Sequence, residues 1–124
     1  MELLRINSII IPISLSLLRQ MDIRMKQKEE ILEKLRKELP FISNEFKVKR
    51  VGLFGSFATD SSNSDSDIDI VVEFEKPIGF KFFSLANYLE KKLNKKIDLL
   101  TIEGVNSIRN EEIALNIKKN IIYA

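Results

Sequence analysis

Apolar and polar residues follow two different periods along this chain. Over residues 25–39, apolar side chains recur every three or four positions, which predicts an amphipathic helix that Pro40 ends. The charges on the rest of this helix are expected to face solvent without a functional role. Short runs rich in β-branched and aromatic residues predict three strands, over residues 50–54 (with Val48 as the earliest start), 68–74 and 96–100.

The segments between and after these strands complete the predicted secondary structure. Amphipathic patterns predict helices over residues 79–93 and 108–118, the second with Ile113 and Ile117 facing inward. The polar segment 59–66 is expected to be a loop, and residues 120–123 an edge strand. Strands that alternate with helices predict an α/β (α+β) fold, a small mixed β-sheet flanked by helices.

The size of the chain predicts one folded domain. With 124 residues and 44% hydrophobic content, it can form a single core. We expect a domain over residues 25–124 and an N-terminal extension over 1–24, which is either a docked or swapped appendage or a stretch before a start at Met21 or Met25. The apolar run 9–18 is too short to span a bilayer and lacks the basic leader of a secretory signal, so we expect a cytoplasmic protein with no membrane partner.

Composition excludes several kinds of chemistry. The chain has 20 basic and 18 acidic residues, a net charge of +2, which argues against a dedicated nucleic-acid surface. It contains neither cysteine nor histidine. Disulfides, thiolate zinc sites, cysteine nucleophiles, Ser-His-Asp triads and histidine general bases are therefore excluded. Any catalysis must use carboxylates, hydroxyls, amines, guanidiniums or a bound metal.

One motif carries most of the chemical information. Gly55 and Ser56 end a predicted strand, and after ten further residues Asp67, Ile68 and Asp69 open the next one. Because strand side chains alternate, Asp67 and Asp69 share the face away from Ile68, roughly 6–7 Å apart along the strand. Two carboxylates at this spacing can hold one or two divalent cations. Gly55 lets backbone N–H groups approach phosphates closely, and Ser56 can add its hydroxyl.

A third carboxylate, Asp98, lies among apolar residues on the third predicted strand. It is the natural partner of Asp67 and Asp69, where it could ligate a metal and help to deprotonate an acceptor hydroxyl. The combination fits Mg²⁺-dependent nucleotidyl transfer. A calcium-binding EF-hand loop is a poor alternative, because Ile70 and Lys76 stand where glycine and an acidic residue are needed. The Gly-Lys-Ser/Thr sequence of a P-loop is absent.

These residues resemble the minimal nucleotidyltransferase family of the DNA polymerase β-like superfamily. The matching segments are VGLFGSFATDSSNSDSDIDIVVEFEKPIGF, KKIDLLT and SIRNEEIALNIKKNIIYA. The resemblance implies a polymerase β-like nucleotidyltransferase fold, with Gly55 and Ser56 binding the nucleotide. It also implies metal-binding and catalytic roles for Asp67, Asp69 and Asp98. The chain departs from the family at Thr59, where many members carry a basic residue.

The resemblance also implies a function and a partner. Members of this family are antitoxins that transfer AMP from ATP, with Mg²⁺ (two ions), to a tyrosine of a HEPN-domain RNase toxin and thereby silence it. A homo- or hetero-oligomer is compatible with that role. Two alternatives stay open at this point. The chain could be a non-catalytic antitoxin that occludes the toxin, or a nucleotidyltransferase that modifies a small molecule or an RNA end with a helper subunit.

Overall fold

The computed structural model of the chain describes residues 2–6 and 9–124. A β-hairpin precedes a long helix, and an α/β arrangement follows. The elements in chain order are β1 (Glu2–Ile6), β2 (Ile9–Ile13), α1 (Leu15–Phe46), β3 (Val48–Phe54), α2 (Gly55–Ala58), β4 (Ile68–Phe74), α3 (Lys81–Leu93), β5 (Ile97–Thr101), α4 (Ile102–Asn106), α5 (Glu111–Asn120) and β6 (Ile122–Tyr123).

Helix α1 is longer than its sequence pattern predicts. It begins after Ser14, whose hydroxyl accepts a hydrogen bond from the Leu17 N–H at 3.1 Å. The prediction that Pro40 ends the helix is wrong, because the helix continues to Phe46. Pro40 is exposed, so the backbone bond that it removes lies on the solvent side. Burial of Ile42 and Phe46 in the core offsets that loss.

The main sheet has four strands in the order β5-β4-β3-β6. Strand β4 runs parallel to β5, whereas β3 is antiparallel to both β4 and β6. The predicted small mixed sheet flanked by helices is therefore confirmed. The predicted edge strand is confirmed as well, since β6 pairs with β3 at the sheet edge. Within the described residues, β1 and β2 form a separate two-stranded antiparallel sheet.

The two faces of the main sheet carry different cores. One face packs against α1 and α3, through buried residues that include Leu35, Ile70 and Leu89. The opposite face carries a smaller cluster of Phe54, Val71 and Val105, which α4 and α5 cover. Because residues alternate along β4, this second face is also the one that Asp69 shares with Val71.

Several local predictions require correction. Ile113 is exposed rather than inward-facing, because Ala114 takes the buried position on α5. Ile117 does pack against the smaller cluster. Helix α3 begins at Lys81 rather than at residue 79, since Gly79 has a φ of +59°. Helix α4 has no counterpart among the predicted elements, although its Val105 is fully buried.

The predicted N-terminal extension, residues 1–24, contains residues 1, 7 and 8, which lie outside the described residues. Its remaining part forms the hairpin and the first turns of α1, and the helix passes residue 25 without a break. The division at residue 24 stays a prediction. Among the helices of the described chain, none combines the length and the apolar character that crossing a bilayer requires.

Candidate active site

The predicted site residues meet at the end of the sheet where β3 stops and β4 and β5 start. Phe54, the last residue of β3, pairs with Asp69 of β4. Asp69 in turn pairs with Asp98 of the parallel strand β5. The strand register therefore places two carboxylates from different parts of the chain side by side, directly next to the turn that follows β3.

Gly55 is required at this turn for two independent reasons. Its φ is +71°, a left-handed conformation that residues with a Cβ rarely adopt. In addition, a Cβ at this position would overlap the Oδ2 atom of Asp69. The backbone of the Gly-Ser turn thus lies directly against the carboxylate of the Asp-x-Asp motif, as a site that holds both a phosphate and a metal would need.

The carboxylates also interact electrostatically. Burial raises the pKa of Asp69 to about 6, with further contributions from the charge of Asp98, a hydrogen bond with Asp98 and the charge of Asp67. Asp67 and Asp69 are partly buried, whereas Asp98 is exposed. Asp98 and Asp67 therefore both act on Asp69 and favour its protonated form, an effect that a bound cation would oppose.

The donor set fits a hard cation such as Mg²⁺, which prefers oxygen ligands. Among the described residues, however, no group of three or more acidic side chains is close enough to form a complete metal cluster by itself. Mg²⁺ usually keeps several waters and takes only one or two protein carboxylates together with substrate phosphates. Asp69, with Asp67 or Asp98, would supply that share, and their role as ligands stays a prediction.

The turn after β3 is a short helix, α2, which is stabilised by Thr59, the residue at which the chain departs from the family pattern. The Thr59 hydroxyl donates to the Gly55 carbonyl at 3.2 Å and lies 2.9 Å from the Ser61 hydroxyl. The Ser61 N–H donates to the Ser56 carbonyl at 2.9 Å. A hydroxyl residue four positions after the turn's first residue is the signal that could have indicated this role.

The candidate site is exposed to solvent at Asp98. A cavity of about 440 Å³ lies elsewhere, at the opposite end of β4, lined by residues that include Phe74, Ile78, Phe82 and Glu103. Asp98 lies outside this cavity and is exposed. We assign the candidate active site to the carboxylates because polar groups converge there. The cavity is instead lined mainly by apolar residues, together with a few acidic and basic side chains.

Comparison with known proteins identifies the family. Residues 28–123 match the model of the nucleotidyltransferase domain. The chain belongs to the nucleotidyltransferase domain family. The nucleotidyltransferase assignment made from the sequence is thereby confirmed, and the chain is an enzyme of this class.

Relatives from two organisms are similar over most of the domain. A Methanocaldococcus jannaschii protein, MJ1379, named as a protein adenylyltransferase, is 40% identical over 102 residues, which cover 80% of this chain and 99% of the relative. A second, MJ1215, is 49% identical over 83 residues, covering 66% and 96%. Protein adenylyltransferase MntA of Thermococcus cleftensis is 34% identical over 100 residues, covering 80% and 94%.

Among solved structures, a mutant toxin–antitoxin complex named MntA–HpeT matches with a TM-score of 0.49 and 23% identity, over 77% of this chain and 69% of that chain. At this level of similarity, the match supports no conclusion about the chain beyond those already drawn.

Proposed function

We propose that this nucleotidyltransferase transfers AMP from ATP to a tyrosine of a HEPN-domain RNase toxin, and so acts as its antitoxin. The observation that carries the proposal is the convergence of Gly55, Asp69 and Asp98, in which a phosphate-type turn lies against paired carboxylates. The names of the relatives, which include protein adenylyltransferase MntA, support AMP as the transferred group. The resemblance to the minimal nucleotidyltransferases supports the HEPN partner.

In the proposed reaction, the tyrosine oxygen attacks the α-phosphorus of ATP in line with the leaving group. A new phosphorus–oxygen bond forms, and the bond from the α-phosphorus to the bridging oxygen breaks. Pyrophosphate leaves with that electron pair. In this proposal, the exposed carboxylate of Asp98 would accept the phenolic proton of the incoming acceptor.

Asp67 and Asp69 would hold Mg²⁺ with the phosphates, and Asp98 would join them on the acceptor side. When bound, the ion would neutralise charge on the phosphates as the bonds exchange. Gly55 and Ser56 would direct the first backbone N–H groups of the turn, which lack partners within the helix, toward the phosphate oxygens.

The open site supports a protein acceptor. Asp98 is exposed, so a tyrosine on another folded surface could reach it without entering a deep pocket. A side chain on the surface of a folded acceptor protein can react only at a site that is exposed in this way.

The experiment combines the purified chain with Mg²⁺, ATP labelled on its α-phosphate, and a candidate HEPN protein. We expect label on a toxin tyrosine, and we expect Asp67→Asn with Asp69→Asn to abolish it. Asp65→Asn is the matched control, since Asp65 is an exposed acidic residue of the same segment. Inhibition of the toxin without label, equally strong in the double variant, would instead indicate occlusion.

A further inference from the structure

Basic side chains of α1 contact the loop between the Gly-Ser turn and the Asp-x-Asp strand. Arg24 of α1 donates from Nε to the Ser62 carbonyl oxygen at 2.9 Å. Lys28, one turn further along α1, places its Nζ 3.0 Å from Oδ2 of Asp60. These contacts join a helix to a loop that is more than thirty positions away in the sequence.

In the pair of Lys28 and Asp60 both side chains are less than a third exposed, which holds for no other ion pair of α1 within the described residues. Its side chains are only 19% and 32% exposed, whereas those of Lys26 and Asp22 on the same helix are 72% and 64% exposed. Charges that are partly withdrawn from water attract each other more strongly and are screened less by salt. This pair is therefore able to fix the position of the loop, whereas an exposed pair contributes little.

The surroundings of Asp60 also make its contact with Lys28 important. Its other oxygen, Oδ1, is buried and has no hydrogen-bond partner among the residues that the structure describes. Its backbone is also in the left-handed region, with a φ of 57°. Removal of the ammonium group would leave a partly buried carboxylate without its charged partner, which favours movement of Asp60 toward water.

Movement of this loop would disturb both halves of the proposed site. Asp60 follows α2, which presents Gly55 and Ser56, and precedes Asp67. Ser62, which Arg24 contacts, is 2% exposed and anchors the middle of the loop. A change in loop position of about 1 Å is enough to cost large factors in rate when reacting groups must be aligned.

We propose that Lys28, supported by Arg24, is a positioning residue for nucleotidyl transfer. It holds the loop that joins the Gly-Ser turn to the Asp-x-Asp strand, without touching the substrate. The inference rests on the proposed function for its catalytic consequence. The salt bridge itself is independent of the acceptor, so the loop and its nucleotide affinity can be tested separately from AMP transfer.

The test compares Lys28→Met, which keeps the apolar stem, with Lys28→Arg, which keeps the charge. Lys26→Met is the matched control on the exposed side of the same helix. Amide hydrogen exchange of residues 59–67 reports the loop, and titration with Mg²⁺ and ATP reports the affinity. The KM for ATP and kcat for transfer are measured in parallel.

We expect Lys28→Met to speed exchange in the loop and to lower kcat/KM by about 10-fold or more, while Lys28→Arg retains most activity. Asp60→Asn, which tolerates the left-handed backbone, should match Lys28→Met, and the double variant should be no worse than either. Identical exchange and affinity in Lys28→Met and Lys26→Met would overturn the proposal. A wild-type chain that binds ATP but transfers no AMP would refute the proposed function, while exchange and affinity would still decide the role of Lys28.

Discussion

Gly55 and Asp69 are packed so closely that no side chain fits between the Gly-Ser turn and the carboxylate of the Asp-x-Asp motif. The two halves of the motif are separated in the sequence by a polar loop. Their contact explains why the turn requires glycine, since both the positive φ and the neighbouring oxygen exclude a Cβ. It also brings the turn predicted to bind phosphate against a carboxylate predicted to bind metal.

Gly55→Ala should therefore destabilise the protein more than an ordinary left-handed glycine substitution. Gly79→Ala is the matched control, because Gly79 also has a positive φ, and an added Cβ would meet nothing within 4 Å. We expect the control to cost about 1–2 kcal/mol from backbone strain alone. Gly55→Ala should cost more, because Asp69 must also move. Equal free energies of unfolding for the two variants by chemical denaturation would contradict the close contact.

The raised pKa of Asp69 predicts a pH dependence of stability in the metal-free protein. Its pKa is about 6 in the folded chain, compared with 3.8 for an unperturbed carboxyl group. The folded state then binds more protons than the unfolded state between these values, so this group's contribution to stability is greatest below pH 3.8 and is lost as the pH rises toward 6.

The measurement is the free energy of unfolding across this range in the presence of a chelator, for the wild type and Asp69→Asn. Subtracting the two curves removes the carboxylates that do not interact with Asp69, among them Glu73, whose pKa is lowered by a hydrogen bond from Arg50. We expect wild-type stability relative to the variant to fall with rising pH. A constant difference would show that Asp69 titrates normally.

Mg²⁺ should stabilise the wild type and have little effect on the variant that carries Asp67→Asn and Asp69→Asn. Binding to the folded state raises stability by about 2.7 kcal/mol when the free ligand is 100 times its dissociation constant. Without metal, the double variant should melt at or above the wild-type temperature, since crowded carboxylates repel each other. A thermal shift assay with and without Mg²⁺ checks both points, and a large drop in the metal-free melting temperature would contradict the second.

Tyr88 is expected to stabilise the packing of α1 on α3 without affecting catalysis. Its hydroxyl donates to Glu38 of α1, and burial together with this hydrogen bond raises the pKa of Tyr88 to about 12. Tyr88→Phe should cost about 1–2 kcal/mol, allowing for the partial exposure of the pair. Tyr123→Phe is the control, since the Tyr123 ring packs under Arg50 and that contact survives the change. An unchanged free energy of unfolding in Tyr88→Phe would refute this role.

The side of the sheet on which each β4 residue lies could be predicted from the sequence, because strand side chains alternate with a period of two. Ile70 and Asp69 therefore fell on opposite faces, as the structure shows. The pairing of Asp69 with Asp98 does not follow from the local pattern of either strand. It depends on which strand lies beside β4 and in which register, and both are properties of the folded sheet.

Other features required information that a local pattern does not carry. Pro40 is a strong helix breaker in isolation, but the apolar stripe continues at Ile42 and Phe46, and burial of that stripe outweighs one lost backbone bond. The salt bridge of Lys28 and Asp60 joins distant segments, and surface charges on a helix look alike in sequence. Its partial burial becomes visible only in the folded structure.

The most direct test of the central claim is the rate of AMP transfer in single and combined carboxylate variants. If Asp67, Asp69 and Asp98 act on the same metal-bound nucleotide, each change to asparagine should lower kcat by at least about 100-fold. Combining them should add little, because residues that act as a unit are not additive. Full activity in Asp98→Asn would contradict a single site built from the three carboxylates. So would combined variants in which the fold-losses in kcat of the single variants multiply.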